Sequence, residues 1–261
     1  MKKLLFLISA LLFQPLHLFA QGTPADETTA SLYEKINAKT YFGKVKNAVI
    51  DKEIKSDEFP DGMKIISRTY FAQDKAREEA FISNPFGIRL NITAIFTREN
   101  TFVSYDGGTI FSPLNETLIE TINSHIKKPD FFSPKKSKIS KSFYDLNGKQ
   151  CYVVGENEKL TFIEKNSYLV LRLVIPSGKD ERTIADMSDY KKIKDDFYVP
   201  FKIRIAVENL LTKTAKISEI TITALKIDVN FDDSLFVPKN ISQTAAENPI
   251  FDIKSLLKSI I

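Results

Sequence analysis

Strict alternation of apolar and polar side chains is the feature that most constrains this chain. It is clearest in residues 87–97, 197–207 and 216–228. Successive side chains of a β-strand point to opposite faces, so the pattern predicts strands with one apolar and one polar face. The segments between them lack regularly spaced helices, which disfavours a doubly wound α/β fold and favours antiparallel pairing.

Turn sequences divide the rest of the chain in the same way. Asn147-Gly148 and Asp106-Gly107-Gly108 are hairpin turns, and Pro60-Asp61-Gly62 marks another turn. About ten strands are predicted, at 44–55, 63–72, 87–97, 101–105, 109–112, 142–145, 150–154, 160–164, 168–175, 197–207 and 216–228. Helical spacing predicts short helices at 26–38 and 116–127, and a third at 250–261.

About ten strands that share an apolar face must curl, close or be covered. Two or three short helices cover only part of such a sheet. We therefore expect a mainly β (α+β) protein, an incomplete antiparallel β-barrel of about ten strands with two or three short helices over its concave face. A sandwich of two sheets is the alternative architecture.

The first twenty residues have the pattern of a secretory signal peptide. Lys2 and Lys3 precede the apolar run Leu4–Phe13, and Ala20 supplies the small residue of a cleavage site. The run is short for a bilayer span, and no cysteine follows it to carry a lipid anchor. We expect residues 1–20 to be removed, leaving 21–261 as a single exported domain in the periplasm that is not itself a lipoprotein.

Composition argues against most catalytic and metal sites. The 261 residues include one Cys and two His, which excludes a disulfide framework and a Cys-cluster zinc site. The net charge is +4, and the basic stretch 134–141 contains no aromatic residue of the kind that stacks on bases. We expect no metal, no cofactor and no nucleic-acid partner, and we interpret Cys151, which falls in a predicted strand, as a buried thiol.

Short catalytic and calcium-binding motifs are incomplete. Ser133-Pro-Lys-Lys136 fits the Ser-x-x-Lys motif of penicillin-recognising enzymes, but Pro134 and a lysine-rich loop stand where a helix start is required. Asp228–Asp233 begins like a calcium loop, yet its sixth residue is Asp233 instead of glycine. The chain is therefore not expected to be an enzyme, and Ser133 catalysis is the weakest of three hypotheses.

An ordered set of motifs resembles the periplasmic lipoprotein-carrier family (LolA/LolB-like), as a distant relative. The set begins with Asp74-Lys75-Ala76-Arg77 and the acidic pair after it, between two strands. It continues through 95–97 with 105–107, 168–172, 189–192 with 199–202, and the closing segment 222–236. Together these motifs span residues 26–240.

The resemblance implies a non-catalytic carrier that holds acyl chains in an apolar cavity between a curved sheet and helices. Its cargo would be a lipid or an acylated lipoprotein, its partners membrane-bound donor and acceptor proteins, and its state a monomer. Three alternating faces would line the cavity: Ile88, Leu90 and Ile92; Leu169, Leu171 and Leu173; and Phe201, Ile203 and Ile205. The resemblance also implies that Arg77 contacts cargo or a lid at the cavity rim.

Two structural alternatives remain open at this point. The same fold with a filled cavity would make the chain a non-catalytic envelope scaffold or assembly protein, and the nine apolar residues would be plain core. Arg77 would then form a surface ion pair with Glu78 or Glu79.

Overall fold

The computed structural model describes residues 27–238, except 41–44, 73–74, 85, 88, 98–100, 106–107, 113–134, 141 and 157. Within these ranges the chain is mainly β, with one α-helix and one short 3-10 helix. The strands form one antiparallel sheet of fourteen strands instead of the two sheets of a sandwich. This open sheet agrees with an incomplete barrel, and it contains more strands than the ten or so expected.

The helices are α1 (Thr29–Thr40) and the 3-10 helix Asp233–Phe236. The strands are β1 (Asn47–Ser56), β2 (Lys64–Ala72), β3 (Lys75–Ser83), β4 (Arg89–Phe96), β5 (Thr101–Tyr105), β6 (Gly108–Ser112), β7 (Lys138–Ile139), β8 (Tyr144–Leu146), β9 (Lys149–Glu156), β10 (Lys159–Glu164), β11 (Val170–Pro176), β12 (Glu181–Lys194), β13 (Phe197–Asn209) and β14 (Thr214–Ile227).

Two runs of sequential hairpins build the sheet. Strands β1 to β6 follow one another outward on one side, and β14 back to β9 follow on the other side, with β7 beside β9. The pairing of β1 with β14 joins the two runs near the middle. Strand β8 pairs with β9 outside this path. Neighbours in sequence are thus neighbours in space, as short antiparallel connections favour.

Most predicted elements are present with small shifts of their ends. Helix α1 lies where residues 26–38 predicted one, and the Asn147-Gly148 turn joins β8 to β9. Strands β3 and β12 were not predicted as strands, because both carry charged residues on both faces and lack clear alternation. The helices predicted at 116–127 and 250–261 lie outside the described residues.

Register defines the two faces of the sheet. Ile54 lies opposite Ile220, and Ile220 lies opposite Ile203, so these three side chains share one face, which we call the apolar face. On the other face, Glu219 lies opposite Arg204 and Arg204 opposite Asp186; we call this the charged face. The alternation seen in the sequence therefore separates hydrocarbon from charge across the centre of the sheet.

Helix α1 packs on the apolar face at the β7–β11 side of the sheet. Its residues Leu32 and Ile36 are 0% and 1% exposed and contact Tyr152, Val154 and Ile163. Lys35 on the same helix pairs with Glu27 and donates a hydrogen bond of 3.2 Å to the Tyr168 hydroxyl. No helix in the described part of the chain is both long and apolar enough to cross a membrane.

Candidate ligand-binding face

The centre of the apolar face is a continuous hydrocarbon surface. Seven buried residues from six strands pack together there: Ile54, Ile65, Leu173, Ala185, Ile203, Ile205 and Ile220. The half-buried side chains of Ala80, Ile82 and Met187 extend this surface. Leu173, Ile203 and Ile205, three of the residues predicted to line a cavity, are brought together here.

The other predicted residues of this face lie on either side of that centre. Phe201 belongs to an adjoining apolar cluster with Ile50, Val199 and Ile222, and the Lys191 ammonium lies 4.0 Å from the centre of its ring. Leu90 and Ile92 on β4 extend the surface because they lie opposite Ile82 and Ala80. Ile88 is outside the described residues.

A β-bulge removes Leu171 from the apolar face. Phe162 pairs with Arg172, whereas the next residue, Ile163, pairs with Val170, so Leu171 is an extra residue in β11. Its side chain packs with Cys151, Val153 and Phe162 in a cluster on the charged side of the sheet. Leu169 is 8% exposed and precedes β11, where its carbonyl accepts a hydrogen bond from the Glu164 amide. The three leucines therefore do not form one face.

The apolar face also holds a buried ion pair that the sequence did not reveal. Lys52 is 1% exposed, and its ammonium lies 2.9 Å from Oε1 of Glu78. The hydroxyls of Thr69 and Ser67 also donate to this carboxylate, the former at 2.6 Å. Register places all four on one patch of β1, β2 and β3, which we call the ionic patch.

The ionic patch keeps Glu78 ionised. Burial raises the pKa of this carboxyl group, but the Lys52 charge and the hydrogen bonds from Ser67 and Thr69 outweigh burial, and the pKa lies below its ordinary value. Taking charges out of water is costly unless they are paired and hydrogen-bonded, and here the Lys52 ammonium contacts both carboxylate oxygens of Glu78. The Ser67 and Thr69 hydroxyls and the Lys52 ammonium all donate to Glu78, so the patch fixes the packing of β1–β3 and places polarity beside a hydrocarbon surface.

Arg77 lies on the charged side of the sheet, away from the apolar face. Its Nε donates to Glu79 at 2.8 Å and its Nη1 donates to the Leu235 carbonyl at 3.0 Å. Leu235 belongs to the 3-10 helix, whose Phe236 is buried against Ala72. Arg77 thus holds the segment after β14 against β2 and β3, and it forms the ion pair with Glu79 that was the alternative to a contact with cargo or a lid.

The charged face carries a ladder of alternating charge across five strands. Lys55, Glu219, Arg204, Asp186 and Arg172 lie opposite one another in order. Arg172 donates twice to Asp186, at 2.5 and 3.0 Å. A groove of about 770 Å³ runs over this ladder, with Leu146 and Tyr190 among its apolar contacts. Opposite charges on paired strands stabilise a sheet. The charged residues that alternate with apolar ones along these strands therefore have a structural role.

Among the described residues, the Cys151 thiol is protonated, and the acidic side chains of the calcium-like segment already have partners within the chain. Burial raises the pKa of the Cys151 thiol to about 11, so it is protonated at neutral pH. No group of three His, Cys, Asp or Glu side chains in these ranges could hold a metal ion. In the calcium-like segment, Asp228 pairs with Lys194 and Asp232 caps the 3-10 helix. Ser133 lies outside the described residues.

Comparison of the sequence finds no matching family model and no matching curated protein. Comparison of the structure finds similar folds. A domain from Vibrio parahaemolyticus, named provisionally for outer membrane lipoprotein sorting, aligns with a TM-score of 0.52 and 11% identity over 82% of this chain and 97% of that chain. A DUF1329 family protein from Desulfovibrio piger aligns with a TM-score of 0.54 and 14% identity over 80% and 97%. These likenesses confirm the distant LolA-like resemblance at the level of the fold.

Proposed function

We propose that this chain is an exported, non-catalytic carrier that holds the acyl chains of a lipid or lipoprotein against the apolar face of its sheet. The observation that carries the proposal is the continuous hydrocarbon surface around Ile203 and Ile220, extended by half-buried Ala80, Ile82 and Met187. The fold shared with a domain named for lipoprotein sorting supports the same function.

The chemistry of the face suits hydrocarbon. Burying an acyl chain contributes about 0.8 kcal/mol per methylene, so a carrier needs a broad apolar contact surface more than a polar pocket. In this proposal Leu90, Ile92, Leu173, Phe201, Ile203 and Ile205 line that surface. The alternation of residues 87–97 assigns Ile88 to the same set. Leu171 and Arg77 instead support the fold, because the bulge and the 3-10 helix engage them elsewhere, and Leu169 lines the groove on the charged face.

The cellular setting completes the proposal. Residues 1–20 would direct export and be removed, and residues 21–261 would act as one periplasmic domain. The carrier would work as a monomer between a membrane-bound donor and a membrane-bound acceptor, and would bind no nucleic acid.

Tight burial at the centre of the face favours a second candidate. Ile203, Ile205 and Ile220 are each only 1% exposed, as expected of a packed core. A protein whose apolar face is filled by its own residues would be a non-catalytic envelope scaffold or assembly protein of the same fold. Lipid content separates the two candidates.

The experiment is mass spectrometry of organic extracts from protein purified from the periplasm without detergent. Ala80→Trp fills space on the apolar face with a large ring, and Thr93→Trp adds the same ring to the charged side of neighbouring β4. We expect phospholipid or acylated peptide with the wild type and Thr93→Trp, and several-fold less with Ala80→Trp.

Circular dichroism would first establish that both variants are folded. A clean extract from the wild type, repeated after incubation with lipid vesicles, would refute the carrier and leave the scaffold. Equal lipid content in both Trp variants would show that any bound lipid lies away from the apolar face.

A further inference from the structure

The groove on the charged face has no part in the acyl-chain proposal. Its volume is about 770 Å³, which is ordinary for a site that binds a small molecule or a short chain. Residues of β12, β13, β14 and β1 line most of it, and Leu146 and Leu171 add apolar contacts at one end. A ligand that filled the groove would therefore lie across the strands.

A second row of polar side chains lies in the groove beside the charged ladder. Lys202 of β13 lies opposite Ser188 of β12 on one side and opposite Thr221 of β14 on the other. We call these three residues the polar row. Arg204 of the ladder is two residues from Lys202 on the same strand, so the two rows share one face. Neighbouring strands are about 4.8 Å apart, and polar groups therefore repeat along the groove at about that interval.

The polar row is not used by the fold. Within the described ranges, its three side chains form no hydrogen bond and no ion pair. Glu219 of the ladder is also without a bonded partner among the described side chains. At the other end of the ladder, by contrast, Arg172 and Asp186 are joined by two hydrogen bonds. The fold thus leaves both donors and an acceptor in the groove available to a ligand.

The charges that line the groove are balanced. Among the described residues that line it, the cations are Lys55, Lys149, Lys202 and Arg204, and the acids are Glu164, Asp186, Asp189 and Glu219. Glu219 lies diagonally across from Lys202 on the neighbouring strand, so an anion that approached Lys202 would also be repelled by Glu219. A neutral hydroxyl group both donates and accepts, and it can therefore bind an ammonium and a carboxylate at once.

We propose that this groove binds a neutral, hydroxyl-rich oligosaccharide that lies across the strands. Sugar hydroxyls would accept hydrogen bonds from Lys202 and donate to Glu219, and the apolar end of the groove would contact the C–H faces of a ring. A pyranose unit with its linking oxygen is close to one strand spacing in length. Successive sugar units would therefore meet the polar groups of successive strands.

The same spacing disfavours an extended peptide as the ligand. Side chains on one side of an extended peptide repeat every two residues, which is about 6.6 Å at about 3.3 Å per residue. The polar groups of the groove repeat at about 4.8 Å instead, so the side chains of a peptide laid across the strands would not keep register with them.

The test is isothermal titration calorimetry of the protein purified from the periplasm with cellotetraose and with chitotetraose, two neutral β-linked tetrasaccharides. Lys202→Ala and Glu219→Ala each remove one unpaired charge from the groove. Lys192→Ala is the matched control, because Lys192 is exposed on the same face of β12 but lies beyond the residues that line the groove. Circular dichroism would establish that each variant is folded.

We expect the wild type and Lys192→Ala to bind at least one tetrasaccharide with the same affinity. Lys202→Ala and Glu219→Ala should both bind it about tenfold more weakly, because a hydroxyl uses the cation and the acid together. Their lipid content should equal that of the wild type, since acyl chains are proposed to lie on the opposite face. This separates the outcome from that of the carrier proposal.

Tighter binding by Glu219→Ala would show that the groove prefers an anion and would overturn the proposal. Absence of wild-type binding to both tetrasaccharides would also overturn it. Binding of a hexapeptide of alternating Lys and Glu, with no binding of either sugar, would assign the groove to a peptide instead.

Discussion

The apolar face has two parts that solve the problem of burial differently. At β11–β14 the side chains are hydrocarbon, and Ile203, Ile205 and Ile220 need no partner beyond one another. At β1–β3 the same face contains Lys52 and Glu78, whose burial depends on an ion pair and two hydroxyl donors. The comparison teaches that neighbouring parts of one buried face can be stabilised differently: hydrocarbon packing is lost in proportion to the volume removed, whereas a charge pair fails when either partner is removed.

Glu78→Ala should have the largest effect, because it leaves the Lys52 ammonium buried without a counter-charge. We expect a loss of about 4 kcal/mol in the free energy of unfolding, measured by urea denaturation. Glu79→Ala is the matched control: its carboxylate is 37% exposed on the charged side, and its loss should cost less than about 1 kcal/mol. Equal losses for the two variants would contradict the assignment of a buried pair.

Ile203→Ala tests the hydrocarbon part of the face. It removes buried methylene and methyl groups and leaves a cavity, so we expect a loss of about 3 kcal/mol by the same measurement. Leu211→Ala removes a similar side chain that is 73% exposed, and its stability should change by less than about 0.5 kcal/mol. A loss below about 1 kcal/mol for Ile203→Ala would show that this part of the face is loosely packed.

Protonation of Glu78 provides a reversible way to break the ionic patch. Because its pKa is lower in the folded protein, the stability it contributes is fully present above the unfolded pKa of about 4.3 and is lost as pH falls through the folded pKa. The difference in unfolding free energy between wild type and Glu78→Gln should be constant at neutral pH and shrink below about pH 4.3. A difference independent of pH would contradict an ionised Glu78.

Replacing the pair with hydrocarbon should have the smallest effect. Lys52→Met combined with Glu78→Leu removes both charges together, and we expect a stability within about 1 kcal/mol of wild type at neutral pH. The Ser67 and Thr69 hydroxyls lose an acceptor, which opposes full recovery. If the double variant is as unstable as Glu78→Ala, the ion pair itself, and not the avoidance of an unpaired charge, stabilises β1–β3.

The sequence predicts a strand and its buried face correctly where apolar and charged side chains alternate along that strand. β13 is such a strand, since Ile203 and Ile205 alternate with Lys202 and Arg204. Strand β3 was missed because Arg77, Glu78 and Glu79 are consecutive charges, which hides the fact that Glu78 faces inward.

Two local features explain the parts of the site that alternation in the sequence does not predict. A bulge adds one residue without changing sequence alternation, so the shift of Leu171 to the charged side could not be foreseen. Lys52 offered a signal, because it lies in phase with buried Ile50 and Ile54, but its partner Glu78 is on a strand that alternation did not identify.

The central claim is that acyl chains contact one face of the sheet and not the other. Crosslinking with a phospholipid that carries a photoreactive acyl chain, followed by peptide mass spectrometry, tests it most directly. The account predicts crosslinks at half-buried residues of the apolar face that lie away from the groove, such as Ala80 and Ile82. Crosslinks confined to the groove at Ser188, Lys202 and Arg204 on the charged face would contradict it.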